Sequence, residues 1–323
     1  MPETRPEVKP PAPSAPAPAQ RIGVVARSDK YLVVRTRKGD TARGLAQRFL
    51  GDAGRYWVIE DFNDTSVFSA GDEAVIPLKA PNPVGVHPDG YQTVPILCYH
   101  RFGNKAAKMV VTPEAFAEQM GYLAEHGYRV VPLTDLIAFL EGRQPLPRRA
   151  VVITMDDGYR SNYQLAFPEL KRHGFPATIF VYTDFLGGGA ALRTNEMREM
   201  LASGLVDIQP HSKAHSNMAL LTPEEDQDAY EQRVEQEISA SSRHLKRLLG
   251  VPIHTFAYPY GDTNDLVIHR LSDSGIRLGA TVQSGGNPVF AYPYMLRRTM
   301  VYGEDDLKAF HGKLEVFQRT ATQ

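Results

Sequence analysis

The sequence predicts an α/β protein in which a small βααβ domain precedes a distorted (β/α) barrel. Three observations predict this fold class. From residue 94 onward, apolar runs alternate with amphipathic segments, as expected for parallel strands joined by outer helices. The length of this region suits a (β/α) barrel, with a doubly wound open sheet as the alternative. Between residues 31 and 78, strand-like runs flank two helix-like segments.

The charge and apolar content of the chain indicate which classes of binding partner are favoured. The chain has 323 residues, with 36 basic and 37 acidic side chains and a net charge of −1. Such a balance provides no overall attraction to nucleic acid or to an anionic membrane, and a neutral partner such as a glycan is favoured. No run approaches the roughly 18 apolar residues of a membrane span, and we expect no transmembrane segment. The N-terminus lacks the hydrophobic core of a signal peptide, so an export signal or anchor would have to lie outside this sequence.

Cysteine usage limits the kinds of covalent and metal site. Cys98 is the only cysteine, and it lies in the apolar run "VPILCYH". Neither a disulfide nor a Cys-ligated zinc site can therefore form within the chain. We expect Cys98 to be a small buried hydrophobe.

The first part of the chain divides into a tether and a small domain. Residues 1–20 are dominated by Pro and Ala and offer little to bury, so we expect an extended, disordered tether over residues 1–30. Within residues 31–78, "YLVVRT" and "EAVIPL" predict strands, and Thr41 can cap the first helix.

The larger domain follows a Pro/Gly linker over residues 79–93 and extends over residues 94–318. We expect strands near residues 94–100, 129–131, 150–156, 177–183, 206–211, 254–259, 278–282 and 295–301. We expect helices near residues 113–126, 135–141, 161–173, 194–203, 223–249 and 264–274. Helix ends are indicated by Thr112 before Pro113, a Thr222/Glu225 capping box, and glycines 127, 174, 204 and 275.

Polar residues cluster at the carboxyl ends of the predicted strands. His100 follows "PILCY", Asp156 and Asp157 follow "VVITM", His211 follows "VDIQP", and Tyr260 follows "TFAYP". Barrels of this type assemble their active sites at this end of the strands. The clustering therefore predicts one site built from several strands.

The segment "HSKAH" places His211 and His215 with three residues between them, close enough to share a metal ion in a turned or helical backbone. The spacing alone is weak, because short motifs recur by chance. An aspartate in addition strengthens the case for a metal site, because two imidazoles and one carboxylate leave coordination positions open for water and substrate.

Asp156 and Asp157 are adjacent, and successive side chains on a strand point to opposite faces. We expect different roles for them, one binding the metal and the other handling a proton. Gly158 permits an immediate turn, which would let both acids face one cavity. The alternative is that the pair caps the helix predicted near Ser161.

The small domain resembles LysM modules in the order of its strands, helices and short motifs. The matching residues are Asp40, Thr41, Asn63, Gly71, Ile76 and Pro77. The resemblance implies binding to N-acetylglucosamine-containing polymers such as peptidoglycan or chitin. A purely structural βααβ cap is the alternative.

The larger domain resembles the polysaccharide deacetylases of carbohydrate esterase family 4, the NodB-homology group. The motifs "TMDDG", "HSKAH" and "FAYPYG" carry the resemblance, which extends over residues 94–310. It implies that Asp156 is the catalytic base and that the backbone N–H of Tyr260 helps to hold the oxyanion. It also implies a divalent metal, most simply Zn²⁺, bound by Asp157, His211 and His215.

The sequence departs from the family pattern at three places. Met155 stands where Phe is usual, and Ala257 stands where many members have the arginine that orients the base. The usual aspartate- and tryptophan-containing motif is not visible, since the only tryptophan is Trp57. Another residue must therefore position the base.

The run "YMLRRTMV" offers a replacement arginine. Arg297 and Arg298 alternate faces on a predicted strand, so only one can point inward. Arg298 is preferred because it shares parity with Leu296 and Met300 and resembles the strand arginine of the poly-N-acetylglucosamine deacetylase branch. Two solvated surface arginines are the alternative.

The segment "PILCYHRF" resembles the same branch. In that branch the histidine normally found late in the chain comes first, which implies that His100 is the general acid for the leaving amine. A core histidine with satisfied hydrogen bonds is the alternative.

Together these features predict a metal-dependent hydrolase that removes acetyl groups from N-acetylglucosamine units outside the cytoplasm, in the periplasm or cell envelope. Peptidoglycan, chitin and poly-N-acetylglucosamine all remain candidate substrates. One competing hypothesis is an inactive cell-wall glycan-binding protein that acts through the LysM-like part. Another is an Fe(II) oxygenase with the same three ligands, although such enzymes need a β pattern that this alternating sequence lacks.

Overall fold

The computed structural model describes residues 23–320. The chain divides into two compact units, Met1–Pro81 and Asn82–Gln323, and each is considered by itself. Most of the predicted tether, residues 1–22, lies outside the described residues. The remainder contains strand β1, Val24–Arg27, which the sequence did not predict because its side chains are mostly exposed and show no apolar alternation.

The first unit is a three-stranded antiparallel sheet packed on two helices. Its elements are β1, β2 (Tyr31–Arg35), α1 (Ala42–Leu50), α2 (Tyr56–Asn63) and β3 (Glu73–Pro77). Thr41 caps α1, its hydroxyl accepting the N–H of Gly44 at 3.1 Å. The Asn63 side chain bonds both backbone groups of Val75, at 2.9 and 2.7 Å, and so ties the end of α2 to β3.

The second unit alternates strands and helices. Its strands are β4 (Val86–His87), β5 (Gly90–Gln92), β6 (Val94–Tyr99), β7 (Arg101–Phe102), β8 (Val110–Val111), β9 (Arg129–Val130), β10 (Ala150–Met155), β11 (Ala177–Val181), β12 (Val206–Pro210), β13 (Thr255–Ala257), β14 (Leu278–Ala280), β15 (Gly286–Asn287), β16 (Thr299–Met300) and β17 (Phe317–Arg319). Its helices are α3 (Pro113–Glu125), α4 (Asp135–Leu140), α5 (Phe167–His173), α6 (Thr194–Ala202), α7 (Gln227–Leu249), α8 (Asp265–Asp273) and α9 (Leu307–His311). Within residues 23–320, none of the helices has the length and apolar character needed to cross a membrane.

The strands form a distorted and incompletely bonded barrel. Strands β12, β11, β10, β6 and β16 pair in that order, all parallel, and β13 pairs with β14. A bridge between Ala280 and Leu296 joins β14 to the segment leading into β16. No backbone ladder joins β12 to β13 in the described part of the chain. There the Gln209 side chain substitutes for it, accepting from the N–H groups of His254 and Thr255 at 2.9 and 3.1 Å.

Alternate side chains of the barrel strands belong to two different hydrophobic cores. Leu97, Ile153 and Met155 point outward and pack with the helices, in a cluster that includes Phe116 on α3. Ile96 and Val152 belong to a second cluster, with Phe180, Ala257, Ala280 and Leu296. Because side chains alternate along a strand, Thr154 and Asp156 continue the parity of Val152. Strand β10 therefore delivers Asp156 to the inner side of the barrel.

Several predicted boundaries are wrong. The predicted linker contains β4 and β5, and β5 pairs with β17. Helix α7 begins at Gln227 rather than near 223, because the short side chain of Asp226 reaches the N–H of Ala229 at 2.8 Å. Glu225 does accept the N–H of Thr222, but that pair belongs to the preceding turn. The strand expected at 295–301 shortens to β16.

Candidate active site

The carboxyl ends of four barrel strands converge on one site. His100 follows β6, Asp156 and Asp157 follow β10, His211 follows β12, and Tyr260 lies in a 3₁₀ turn, Pro259–Gly261, after β13. His211 is held to β13, since its ring Nδ1 lies 2.8 Å from the carbonyl oxygen of Ala257. The predicted site residues are thus brought together across the gap between β12 and β13, which we call the open seam of the barrel.

Asp157, His211 and His215 form a cluster suited to a metal ion. One candidate ligand atom from each side chain lies within 4.8 Å of the other two. Asp157 Oδ1 is 3.4 Å from Nε2 of His215 and 3.7 Å from Nε2 of His211. Two imidazoles and one carboxylate are the donor set of catalytic zinc sites with open positions, and the residues fit such an ion.

The protonation state of His211 also fits a ligand. Burial lowers the pKa of its imidazole, and this outweighs the opposing effects of Asp156 and Asp157, so the neutral ring is favoured. With its Nδ1–H donated to the Ala257 carbonyl, the lone pair of Nε2 faces the carboxylates. A hydrogen bond at the far ring nitrogen is the usual support of a metal-bound histidine.

The backbone of the site is strained. Five non-glycine residues in the described part of the chain have positive φ, and four of them lie here. They are Asp157 (71°), Ser212 (76°), His215 (61°) and Tyr260 (62°), the fifth being Asp64. Such conformations persist only where the surroundings impose them, and they concentrate at functional sites.

The turn after β10 explains how adjacent acids share a cavity. Asp157 and Gly158 both have positive φ, which reverses the alternation of the strand. A Cβ on Gly158 would lie 2.6 Å from Cγ1 of Val181, so only glycine fits this turn. Asp157 Oδ1 and Asp156 Oδ2 consequently approach the same atom, Nε2 of His211, at 3.7 and 3.8 Å.

Asp156 is buried, with 1% of its surface exposed, and it is paired with Arg298. The guanidinium donates Nη1–H to Oδ1 at 2.7 Å and Nη2–H to Oδ2 at 2.8 Å. Burial by itself raises the pKa of Asp156, but Arg298, with smaller help from His211 and His100, outweighs burial and holds that pKa below its usual range. The carboxylate is therefore ionised and fixed in orientation.

Arg298 is the inward-facing member of the arginine pair. Its side chain is fully buried, whereas Arg297 is exposed. Nε–H donates to the carbonyl oxygen of Thr281 at 2.8 Å, and Nη1 reaches the hydroxyl of Thr154 at 3.3 Å. These contacts lock the fork in the plane of the Asp156 carboxylate.

His100 also lies close to Asp156. Ligand-type atoms of Cys98, His100 and Asp156 all lie within 4.8 Å of one another. Cys98 is buried, with its Sγ 3.5 Å from Oδ2 of Asp156, and burial raises the pKa of the thiol so that it stays protonated. The sequence missed this contact, although parallel pairing of β6 with β10 places Cys98 directly beside Thr154.

Aromatic rings border the cluster of Asp157, His211 and His215. The ring of His215 lies between those of Tyr260 and Tyr182, with centroid distances of 4.8 and 5.2 Å. Tyr182 stacks in turn on Phe185, which contacts Tyr159. The Tyr260 side chain is 61% exposed, so this end of the site is open to a large ligand.

Comparisons of the sequence with known proteins point to polysaccharide deacetylases. Residues 143–279 match the family model described as Polysaccharide deacetylase. The poly-beta-1,6-N-acetyl-D-glucosamine N-deacetylase of Escherichia coli (strain K12) is 25% identical over 267 residues, covering 70% of this chain but 39% of that protein. The protein of the same name from Staphylococcus epidermidis is 29% identical over 198 residues, covering 59% of this chain and 68% of that protein.

Solved structures share the fold. IcaB from Ammonifex degensii matches with a TM-score of 0.62 at 26% identity, covering 70% of this chain and 99% of that one. Streptococcus pyogenes deacetylase PplD matches with a TM-score of 0.63 at 22% identity, covering 69% and 98%. The relatives and structures together support a hydrolase acting on carbon–nitrogen bonds. The second unit of this chain thus has the fold of the solved NodB-type deacetylases, and its residues 143–279 are similar to the polysaccharide deacetylase family.

Proposed function

We propose that the second unit is a metal-dependent N-deacetylase of N-acetylglucosamine-containing polysaccharides, with a poly-β-1,6-linked polymer as its preferred substrate. The observation that carries the proposal is the buried, bidentate pair of Asp156 and Arg298 beside the cluster of Asp157, His211 and His215. An ionised and oriented base next to three metal-ligating side chains is the equipment needed to hydrolyse an amide.

Asp157, His211 and His215 would hold the ion, for which Zn²⁺ is the default given two imidazoles and a carboxylate. When bound, it supplies Lewis-acid polarisation of the acetamide carbonyl and makes water more acidic. The neutral state of His211 and its fixed tautomer suit it to this task.

The proposed proton acceptor is Asp156. Its carboxylate takes the proton of the attacking water as the new carbon–oxygen bond forms. Arg298 holds both oxygens, which prevents rotation of the carboxylate, and the positive charge of Arg298 keeps the base ionised. Arg298 would thus perform the task of the arginine that Ala257 replaces.

The proposed proton donor is His100, which lies close to Asp156 on the side of the site formed by β6. Donation to the amide nitrogen allows the carbon–nitrogen bond to break, which releases acetate and leaves a free amine on the sugar. The positive φ of Tyr260 turns the backbone after Pro259, and we assign its N–H to the developing oxyanion.

The choice of polymer rests on two features. The two curated relatives described above are both named for poly-β-1,6-linked N-acetylglucosamine. The chain also combines an early His100 with a late Arg298, the arrangement that the sequence resemblance associates with that branch. Such polymers lie outside the cytoplasm, and we propose that this protein acts there, in the periplasm or cell envelope.

We further propose that the first unit is a LysM module that binds N-acetylglucosamine-containing glycans. Its α1 and α2 lie between β2 and β3 in the chain, and Asn63 links the second helix to the closing strand. A protein that only binds glycans through this unit is the second candidate function. Its support is Ala257, which removes the arginine usual in many deacetylases.

Acetate release tests the proposal. The whole protein is incubated with poly-β-1,6-N-acetylglucosamine, chitooligosaccharides and peptidoglycan, each with and without a zinc chelator. We expect the fastest release from the β-1,6-linked polymer, loss of release with chelator, and recovery on adding Zn²⁺. Binding to the polymers without release of acetate from any of them would instead support the glycan-binding function.

A further inference from the structure

We propose that Glu237, on α7, is a positioning residue that holds the metal-ligating segment His211–His215 in its active conformation. The Glu237 carboxylate is 5% exposed. Its Oε2 accepts the N–H groups of both Lys213 and Ala214, each at 2.8 Å. These two residues lie between the two histidines in the chain.

The segment needs such support because its backbone is strained. Ser212 and His215 both have positive φ, which side-chain-bearing residues adopt only when their surroundings require it. Successive N–H groups in a turn of this kind create a concavity that binds an anion. The carboxylate of Glu237 occupies that concavity through charge-assisted hydrogen bonds, which are about twice as strong as neutral ones.

A second contact holds the segment from within. The N–H of His215 donates to the hydroxyl of Ser212 at 2.9 Å. The far nitrogen of the His211 ring is held by the Ala257 carbonyl at 2.8 Å. With Glu237 fixing two of the three residues between them, the relative orientation of the two imidazoles is determined by the protein before any ligand binds.

The identity of residue 237 is unusual for its place in the helix. Tyr230, Val234 and Ile238 form the buried stripe of α7, and Glu237 lies beside Ile238 on the same face. No ion pair with Glu237 occurs in the part of the chain that the structure describes. Lys213 and Arg233 act electrostatically on Glu237, but they form their direct ion pairs with Asp184 and Glu225. A buried carboxylate is costly unless it is hydrogen-bonded, and the partners of Glu237 Oε2 are two N–H groups of the histidine segment.

The test is the Zn²⁺ affinity of the purified whole protein, measured by competition with a chromophoric chelator in the absence of substrate. Glu237→Met keeps much of the side-chain volume but removes the acceptor. We expect about 10- to 100-fold weaker Zn²⁺ binding, the usual effect of losing a partner that orients metal ligands. Excess Zn²⁺ should restore most of the deacetylase rate of this variant.

Glu196→Met is the matched control. Glu196 is likewise a buried glutamate, 3% exposed, that accepts a backbone N–H, that of Arg193 at 3.0 Å. It lies on α6 and has no contact with the histidine segment among the described hydrogen bonds. We expect both variants to lower the melting temperature, but only Glu237→Met to change Zn²⁺ affinity.

Glu237→Gln retains one acceptor oxygen without the charge, and we expect an affinity between those of Glu237→Met and the parent. If Glu237→Met does not fold, Glu237→Gln decides the question, with an expected loss of about threefold or more because the bonds become neutral. Parental Zn²⁺ affinity in the folded variant that decides the test would overturn the proposal. The inference rests on the proposed function only in taking His211 and His215 as metal ligands. Because Zn²⁺ affinity is measured without substrate, a failure of this inference can be told apart from a failure of the protein to release acetate.

Discussion

Arg298 and Asp156 are 142 residues apart in the chain, yet they form two parallel hydrogen bonds, Nη1–Oδ1 at 2.7 Å and Nη2–Oδ2 at 2.8 Å. Both side chains are almost completely buried. Burying either charge alone would be strongly unfavourable, so each side chain accounts for the presence of the other. The pair ties the segment that leads into β16 to the residue that we propose as the base.

Replacing the arginine tests its proposed role. Arg298→Met should lower kcat for deacetylation by about 10²- to 10³-fold, because the carboxylate loses both orientation and its counter-charge. Arg298→Lys keeps the charge but not the planar fork, and we expect an intermediate rate. Steady-state kinetics of acetate release measure both, with Arg297→Met as the control because Arg297 is exposed. Equal effects of the two methionine variants would contradict the assignment.

The same pair predicts a pH dependence of stability. In the parent, Arg298 holds the pKa of Asp156 below its unfolded value of about 3.9, so the pair stabilises the fold above that pH and this contribution is lost on further acidification. In Arg298→Met only burial acts strongly, and it raises the pKa of Asp156 instead. The variant should therefore be destabilised at pH 7, by about 3–5 kcal/mol, and the deficit should shrink as the pH falls toward 4. Urea unfolding at several pH values measures this, and a deficit that grows on acidification would refute it.

Removing one of the two imidazoles that we propose as metal ligands should weaken Zn²⁺ binding and slow deacetylation together. His215→Ala leaves Asp157 and His211 as the remaining donors, and we expect Zn²⁺ affinity to fall by at least about 100-fold with a parallel loss of activity at limiting metal. The control is His269→Ala, since His269 is an exposed residue of α8. Chelator competition reports the affinity. Unchanged binding in His215→Ala would exclude His215 as a ligand.

The open seam of the barrel predicts a different kind of effect. Gln209→Leu would leave the N–H groups of His254 and Thr255 and the carbonyl of Pro252 without the partner that Gln209 provides. Each unsatisfied buried group costs about 1–3 kcal/mol, so we expect a loss of roughly 2–4 kcal/mol after partial relaxation. Chemical denaturation measures the loss, with the exposed Gln236→Leu as the control. A loss below about 1 kcal/mol would show that the seam is held by other contacts.

Much of the barrel and the positions of the key acids could be predicted from the sequence, because side chains alternate between the two faces of a strand. Strand parity places Asp156 with Val152 and Thr154 on the inner face, and it places Arg298 inward with Leu296. These features depend on local periodicity, which a single sequence displays. The strand ends that meet at the site were predictable for the same reason.

The remaining features depend on contacts that alternation does not encode. The pairing of β5 with β17 joins segments more than 200 residues apart, so the region before residue 94 resembled a linker. The positive φ of Asp157 accompanies close packing at Gly158, and that of His215 accompanies a hydrogen bond from its N–H to the Ser212 hydroxyl. Neither contact is visible as a pattern in the sequence. The sequence did contain one indication that the histidine segment is supported, namely a glutamate at position 237 beside the buried stripe of α7.

The most direct test of the central claim is acetate release from poly-β-1,6-N-acetylglucosamine by the Zn²⁺-loaded parent and by Zn²⁺-loaded Asp156→Asn. The substitution preserves the size of the side chain but removes the proposed proton acceptor, and we predict a kcat lower by about 10²- to 10⁴-fold with Zn²⁺ still bound. Parental turnover by the metal-loaded Asp156→Asn protein would contradict the account.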